Sequence, residues 1–249
     1  MVPPDFGALS ARRAERARRL AERYHSAGEV LRFYSELAMF QRRIFPAARD
    51  REALPAFGGD LIEVVEARGP ERLRSVAGSV DEGSLRRALD DYWRQLDTAS
   101  PMSFFARVLL QAHAAYLQAP EADRRSATIA ESCCPRCTHR PQVGVLRPVG
   151  DGSALALVCS LCFFEWPFSR AGCPGCGEVA ESSLTYSSAP GYEHVQVESC
   201  EACGIYLHVI DLGKEPEAIP EVDELAALPL DVWARERGYR KLQPNLAGI

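Results

Sequence analysis

Eight of the nine cysteines in this 249-residue chain fall into four Cys-x-x-Cys pairs: Cys134/Cys137, Cys159/Cys162, Cys173/Cys176 and Cys200/Cys203. Two cysteines three positions apart can place both sulfurs on one metal ion, because the tight turn between them aims successive backbone N–H groups at the thiolates and offsets their charge. Eight such thiols supply two tetrahedral four-thiolate sites. The separations favour pairing in chain order: 21 residues lie between Cys137 and Cys159 and 23 between Cys176 and Cys200, room for a hairpin, whereas ten lie between Cys162 and Cys173. An interleaved arrangement is the alternative. A disulfide framework is the competing reading, and the N-terminus, Met1-Val-Pro-Pro-Asp-Phe-Gly, argues against it by lacking a basic segment followed by an apolar one. Cys133 is the odd thiol and reads as a partly buried bystander, with an alternative ligand or a reactive group also open. Four thiolates suit Zn(II) and rubredoxin-like iron equally, so the metal is iron or zinc.

The segments between the pairs have strand character. Val143, Val145 and Leu146 precede Leu155, Leu157 and Val158, with Gly150-Asp-Gly152 as the turn; Leu184 and Tyr186 precede Val195 and Val197, with Pro190-Gly191 between them. Two ribbon-like knuckle modules in tandem follow. The first 130 residues contain no cysteine and repeat apolar residues at helical spacing over 11–24, with Gly28 as a candidate cap, and over 30–45, ended by Pro46. Shorter patterns cover 60–68 and 84–96. Ser100-Pro101 opens a further helix through Phe104, Phe105, Val108, Leu109, Ala112 and Tyr116, stopping near Pro120. A polar junction, 121–131, includes Ala127-Thr-Ile129 as a docking turn. Beyond the modules, two helical segments flank Pro229 and end at Gly238, packing back on the modules or the bundle. The expected fold class is α+β: a helical domain over 1–128, metal modules over 129–170 and 171–215, and a helical tail over 216–249.

Charge separates the function classes that metal ribbons serve. Residues 131–249 carry 16 acidic against nine basic side chains, and residues 1–130 carry 18 against 20. An acidic metal half, made more negative by thiolates, is poorly suited to a phosphate backbone, so nucleic acid is not the expected partner. No apolar run approaches the roughly 20 residues that span a bilayer, and the expected compartment is the cytoplasm. Arg12, Arg13, Arg16, Arg18, Arg19 and Arg23 cluster on the first helix; a solvated face is the plain reading and an acidic protein partner the other. His113 reads as a core residue, and His139, His194 and His208 as groups near the cysteine pairs. No phosphate-cradling glycine loop, Gly-x-Ser-x-Gly elbow or His-Glu-x-x-His is present, and a closed four-thiolate site has no open coordination position. A binding or assembly factor, not an enzyme, is the class these residues reach.

Cys134-Pro-Arg-Cys137 with Pro141, Cys159-Ser-Leu-Cys162 with Glu165-Trp166 and Arg170, Cys173-Pro-Gly-Cys176-Gly177 and Cys200-Glu-Ala-Cys203-Gly204 with Tyr206-Leu207 resemble the C-terminal half of the formate dehydrogenase accessory protein family, FdhE. The likeness extends through Asp223, Leu225-Ala226, Leu230-Asp231, Glu236, Gly238-Tyr239 and Asn245, and back to Phe104-Phe105-Ala-Arg with Leu110-Gln111. Thr138 stands where the family pattern has glycine, and His208 where it has lysine. The resemblance implies tandem rubredoxin-like modules and a cytoplasmic factor that engages the catalytic subunit of a molybdenum- or tungsten-dependent formate dehydrogenase during maturation. A homodimer is left open. Glu165, Trp166 and Arg170, which bridge the modules in sequence, are the candidates for a partner surface or an inter-module contact. The alternatives are a zinc-ribbon nucleic-acid binder and a rubredoxin-like redox protein.

Overall fold

A computed structural model of the chain describes residues 6–96, 100–117, 132–246 and 248. The expected junction over 121–131, with Ala127-Thr-Ile129, lies outside the described residues, and the helix expected to stop near Pro120 ends at Tyr116. Among the described residues six α-helices form the N-terminal bundle: α1 (Phe6–Arg23), α2 (Gly28–Ile44), α3 (Gly58–Arg68), α4 (Glu71–Ala77), α5 (Glu82–Trp93) and α6 (Pro101–Tyr116). α6 is buried on nearly all sides from Ser103 to Ala115, as its apolar composition requires of a central helix. α5 begins two residues before the expected Ser84 because the cap is Asp81: its carboxylate accepts from the Ser84 amide (2.7 Å) while the Ser84 hydroxyl accepts from the Asp81 amide (3.0 Å). Gly28 is not a left-handed cap. It opens α2 with φ −59°, and α1 and α2 are joined by a 3-10 turn over His25–Ala27.

The modules supply β1 (Pro141–Val149), β2 (Gly152–Cys159), β3 (Glu165–Pro167), β4 (Leu184–Ser187), β5 (Val195–Cys200) and β6 (Ile205–Asp211). Each module is a three-stranded antiparallel meander. β1 and β6 pair in parallel and join the two into one sheet of order β3-β2-β1-β6-β5-β4. Gly144 makes that join possible: opposite Val209 in the register, a Cβ on it would stand 2.9 Å from the Val209 side chain. The tail adds α7 (Pro220–Ala226), α8 (Leu228–Glu236) and β7 (Arg240–Lys241), which pairs with β6.

Strand alternation sorts the core into two faces. Leu155, Leu157, Leu207 and Val209 join a cluster that runs through the bundle and takes in Val222, Leu225 and Ala226 of α7. Val143, Val145, Val158, Val195, Val197 and Ile210 face the other way, under Leu230 and Ala234 of α8. The tail therefore packs on both bundle and modules, and the sheet is covered on both faces.

Candidate metal centres

The structure gathers the eight paired cysteines into two sets, Cys134/Cys137/Cys159/Cys162 and Cys173/Cys176/Cys200/Cys203, with the sulfurs of each set within 4.8 Å of one another. In the first, Sγ–Sγ separations are 3.3 Å (Cys137–Cys159) and 3.6 Å (Cys134–Cys162, Cys137–Cys162); in the second, 3.8 Å for Cys173–Cys203 and Cys176–Cys200. A tetrahedron with metal–sulfur bonds of about 2.3 Å has edges of about 3.8 Å, so the donor sets fit a four-thiolate metal ion. These separations are far beyond a disulfide, and all nine cysteines are free. The thiols within each set are shifted in opposite directions by one another: burial pushes Cys159 well above its ordinary value and Cys173 up to about 12, while bonds from the neighbouring sulfurs pull Cys137 down.

All four knuckles share one backbone plan. The residue after the second cysteine takes positive φ in each: Thr138 (62°), Phe163 (57°), Gly177 (77°) and Gly204 (66°). That turn lets the chain fold back so that its amide reaches the first cysteine's carbonyl: Thr138 to Cys134 (2.8 Å), Gly177 to Cys173 (2.9 Å) and Gly204 to Cys200 (2.8 Å). N–H groups inside the loops meet sulfur, from Leu161 and Cys162 to Cys159 (3.4 and 3.5 Å) and from Gly175 to Cys173 (3.3 Å). Glycine adopts this conformation without penalty and a β-branched residue does not. Thr138 is held in it by its hydroxyl, which bonds the Cys137 carbonyl (2.6 Å) and accepts from Gln95 Nε2 (2.9 Å). The tight turn survives without glycine because α5 and the segment after it brace it.

The first site is enclosed by the bundle. Cys159 is wholly buried and Cys134 and Cys162 nearly so. The His139 ring stacks on Tyr92 and its nitrogens meet the carbonyls of Cys137 (2.9 Å) and Tyr92 (3.2 Å), joining knuckle to α5. Gln111 and Arg107 of α6 donate to the Ser160 carbonyl inside the second knuckle (2.9 and 3.2 Å), and Gln111 in turn accepts from Gln41 of α2 (2.8 Å). Arg13 of α1 lies 3.8 Å over the Phe163 ring. The second site is at the periphery: Cys173 and Cys200 are buried, but Cys176 is exposed and Cys203 half-buried. Cys133 is exposed too, not the partly buried bystander that the sequence suggests.

The arginine cluster of α1 divides. Arg12, Arg18, Arg19 and Arg23 face outward, while Arg13 and Arg16 are buried against the tail. Arg16 holds Asp223 through two bonds (3.0 and 2.5 Å) and Arg13 holds Glu221 (2.5 Å). Burial alone would raise the Asp223 carboxyl; bonds from His194 and Arg16 hold it below its usual range. The acidic partner of these two arginines is α7 of the same chain. Trp166 is 1% exposed, its ring in the core, so it is withdrawn from any surface; Glu165 pairs with Arg147 (2.6 Å), and Arg170 reaches Ser153 (3.4 Å). His113 is a core residue, bonded to the Ala48 carbonyl (2.7 Å).

Sequence reading missed a buried polar network at the sheet end. Arg107 donates to Gln142 (2.5 Å), Gln142 to Glu224 (2.9 Å), and the Lys241 ammonium sits between Glu224 and Asp231, which also accepts from Tyr206 (2.7 Å). His208 lies beside it, 3.6 Å from Asp231, and burial lowers it to about 4, leaving it neutral at pH 7. Asp231 and Asn245 are residues the family resemblance had already marked; the isolated Lys241 gave no periodic or spacing signal.

Among the described residues no helix is long and apolar enough to cross a membrane. Residues 172–247 match the model of the FdhE C-terminal domain. An FdhE homolog from Aquifex aeolicus is 34% identical over 116 residues, 46% of this chain and 41% of that protein. One from Pseudomonas aeruginosa is 30% identical over 277 aligned positions, which cover 96% of this chain and 89% of that protein. The crystal structure of the FdhE protein from Pseudomonas aeruginosa superposes with a TM-score of 0.71 at 25% identity, over 99% of this chain and 97% of that one. Helical bundle, joined cysteine modules and helical tail thus have a counterpart along almost the whole chain, and the chain belongs to the FdhE family.

Proposed function

We propose that this chain is an assembly factor for a molybdenum- or tungsten-dependent formate dehydrogenase, binding its catalytic subunit in the cytoplasm and catalysing no reaction of its own. The observation that carries this reading is family likeness along the whole length, helical domain included, rather than in the cysteine modules alone. Two four-thiolate sets point the same way. Cys134, Cys137, Cys159 and Cys162, with Cys173, Cys176, Cys200 and Cys203, would each hold one iron or zinc ion, and a closed sulfur tetrahedron acts as a crosslink rather than as a site for substrate. The acidic balance of residues 131–249 favours a protein partner over nucleic acid.

The test is recovery of the formate dehydrogenase catalytic subunit on tagged protein in extracts of the native cell, with elemental analysis of the same sample. Co-isolation with about two metals per chain supports the reading. Two metals with no subunit at any stage of maturation overturns it. The Cys159→Ser/Cys162→Ser pair is expected to lose one metal and the subunit together.

A further inference from the structure

A cavity of about 600 Å³ opens where α4, the start of α6, the first knuckle and the C-terminal segment meet. Its volume is that of a small-molecule pocket, and junctions between parts of a fold are where such pockets occur. Its lining is basic. In a chain with a formal net charge of −5, the described residues lining it include Arg72, Arg107 and Arg140 and no carboxylate. Arg107 is 5% exposed and committed to the carbonyls of Ser160 and Pro244 and to Gln142. Arg72 and Arg140 are exposed and make no ion pair among the described residues. The first turn of α6 lines the cavity through Pro101, Ser103 and Phe104 and carries no acidic residue, so the positive end of a 16-residue helix faces it.

We propose that this cavity binds a small organic oxyanion, a phosphate or carboxylate, held by Arg72 and Arg140 with its apolar part against Leu73 and Phe104. Guanidinium groups suit both oxyanions because their planar donor pairs match either geometry. The site is separate from both cysteine sets, although His139 and Arg140 follow the first knuckle directly, so an occupied pocket would brace that knuckle from outside.

The test is isothermal titration of the metal-loaded full chain at low salt with phenyl phosphate and with benzoate, which separate the two oxyanions, and with phenol, which lacks the charge. At least one anion is expected to bind with a Kd of order 1 mM or tighter, and phenol not to bind. Arg72→Glu and Arg140→Glu, both at exposed positions, should each weaken binding by about tenfold with unchanged near-ultraviolet circular dichroism. Arg12→Glu, an equal charge change on α1, should leave binding unaltered. Failure of both anions to bind at 10-fold above that concentration overturns the proposal. So does equal weakening by Arg12→Glu, which would reduce the effect to net charge.

Discussion

The two cysteine sites are built alike and placed differently. Each comprises two knuckles with a left-handed residue after the second cysteine, yet the first is enclosed by α5, α6 and α1 while the second leaves Cys176 exposed. The contrast teaches that local chemistry defines a ligand set and the surroundings define what its loss would cost. At the first site a missing crosslink would free the knuckles that receive bonds from Gln111, Arg107 and Tyr92's partner His139. At the second it would free a loop at the sheet's outer end.

The largest expected effect is therefore at Cys159. Cys159→Ser should cost more than about 4 kcal/mol and lower Tm steeply, because an orphaned site would lie inside the main core. A well-folded variant with a full Tm would break the distinction between the sites. Next in size is the link that fastens the second half of the sheet to the bundle. Asp223→Ala, which strands Arg16 in a buried position, should lower stability in urea by about 3–5 kcal/mol. A change under about 1 kcal/mol would mean that the tail is held by its apolar contacts instead. Because the Asp223 value is lowered on folding, this contribution is present above the ordinary carboxylate range and is lost only as pH falls through the lower, folded value.

A smaller effect belongs to His208, on the sheet face away from the bundle. Burial lowers it from 6.5 to about 4, so the unfolded chain binds a proton that the folded chain refuses between those values. Stability should rise with pH across that window by about 3 kcal/mol, and His208→Gln should flatten the rise. An unchanged pH profile in that variant would assign the acid sensitivity elsewhere. The smallest stability change is expected at Cys176. Cys176→Ser should lower the metal content from about two to about one per chain while shifting Tm by only a few degrees. With wild-type protein, a chromogenic chelator should remove metal in two phases, the faster one absent from the Cys176 variant. A single phase would show that exposure does not separate the sites.

Much of this architecture was legible in particular residues. Cysteine spacing identified both ligand sets, since a metal ion needs its donors at fixed separations and knuckle loops are local. Alternation in residues 143–146 and 155–158 marked the strands, and Ser100-Pro101 marked the start of α6, because caps and periodicity are also local. The arginines of α1 show where such reading stops. Helical periodicity placed Arg13 and Arg16 on the polar side, as it must for charged residues, but their partners lie more than 200 positions away on α7.

By itself, then, the sequence determined the two four-thiol donor sets, the helical and ribbon halves and the family, all of which rest on short-range patterns. Tertiary structure alone decided that β1 and β6 fuse the modules into one sheet, that Trp166 is core rather than surface, and that Arg13 and Arg16 are buried clamps. It alone decided that one cysteine site is enclosed and the other open, and that a cationic cavity forms where four distant segments meet. Those outcomes depend on which surfaces are brought together over long chain separations, and burial of that kind leaves no signature in residue spacing.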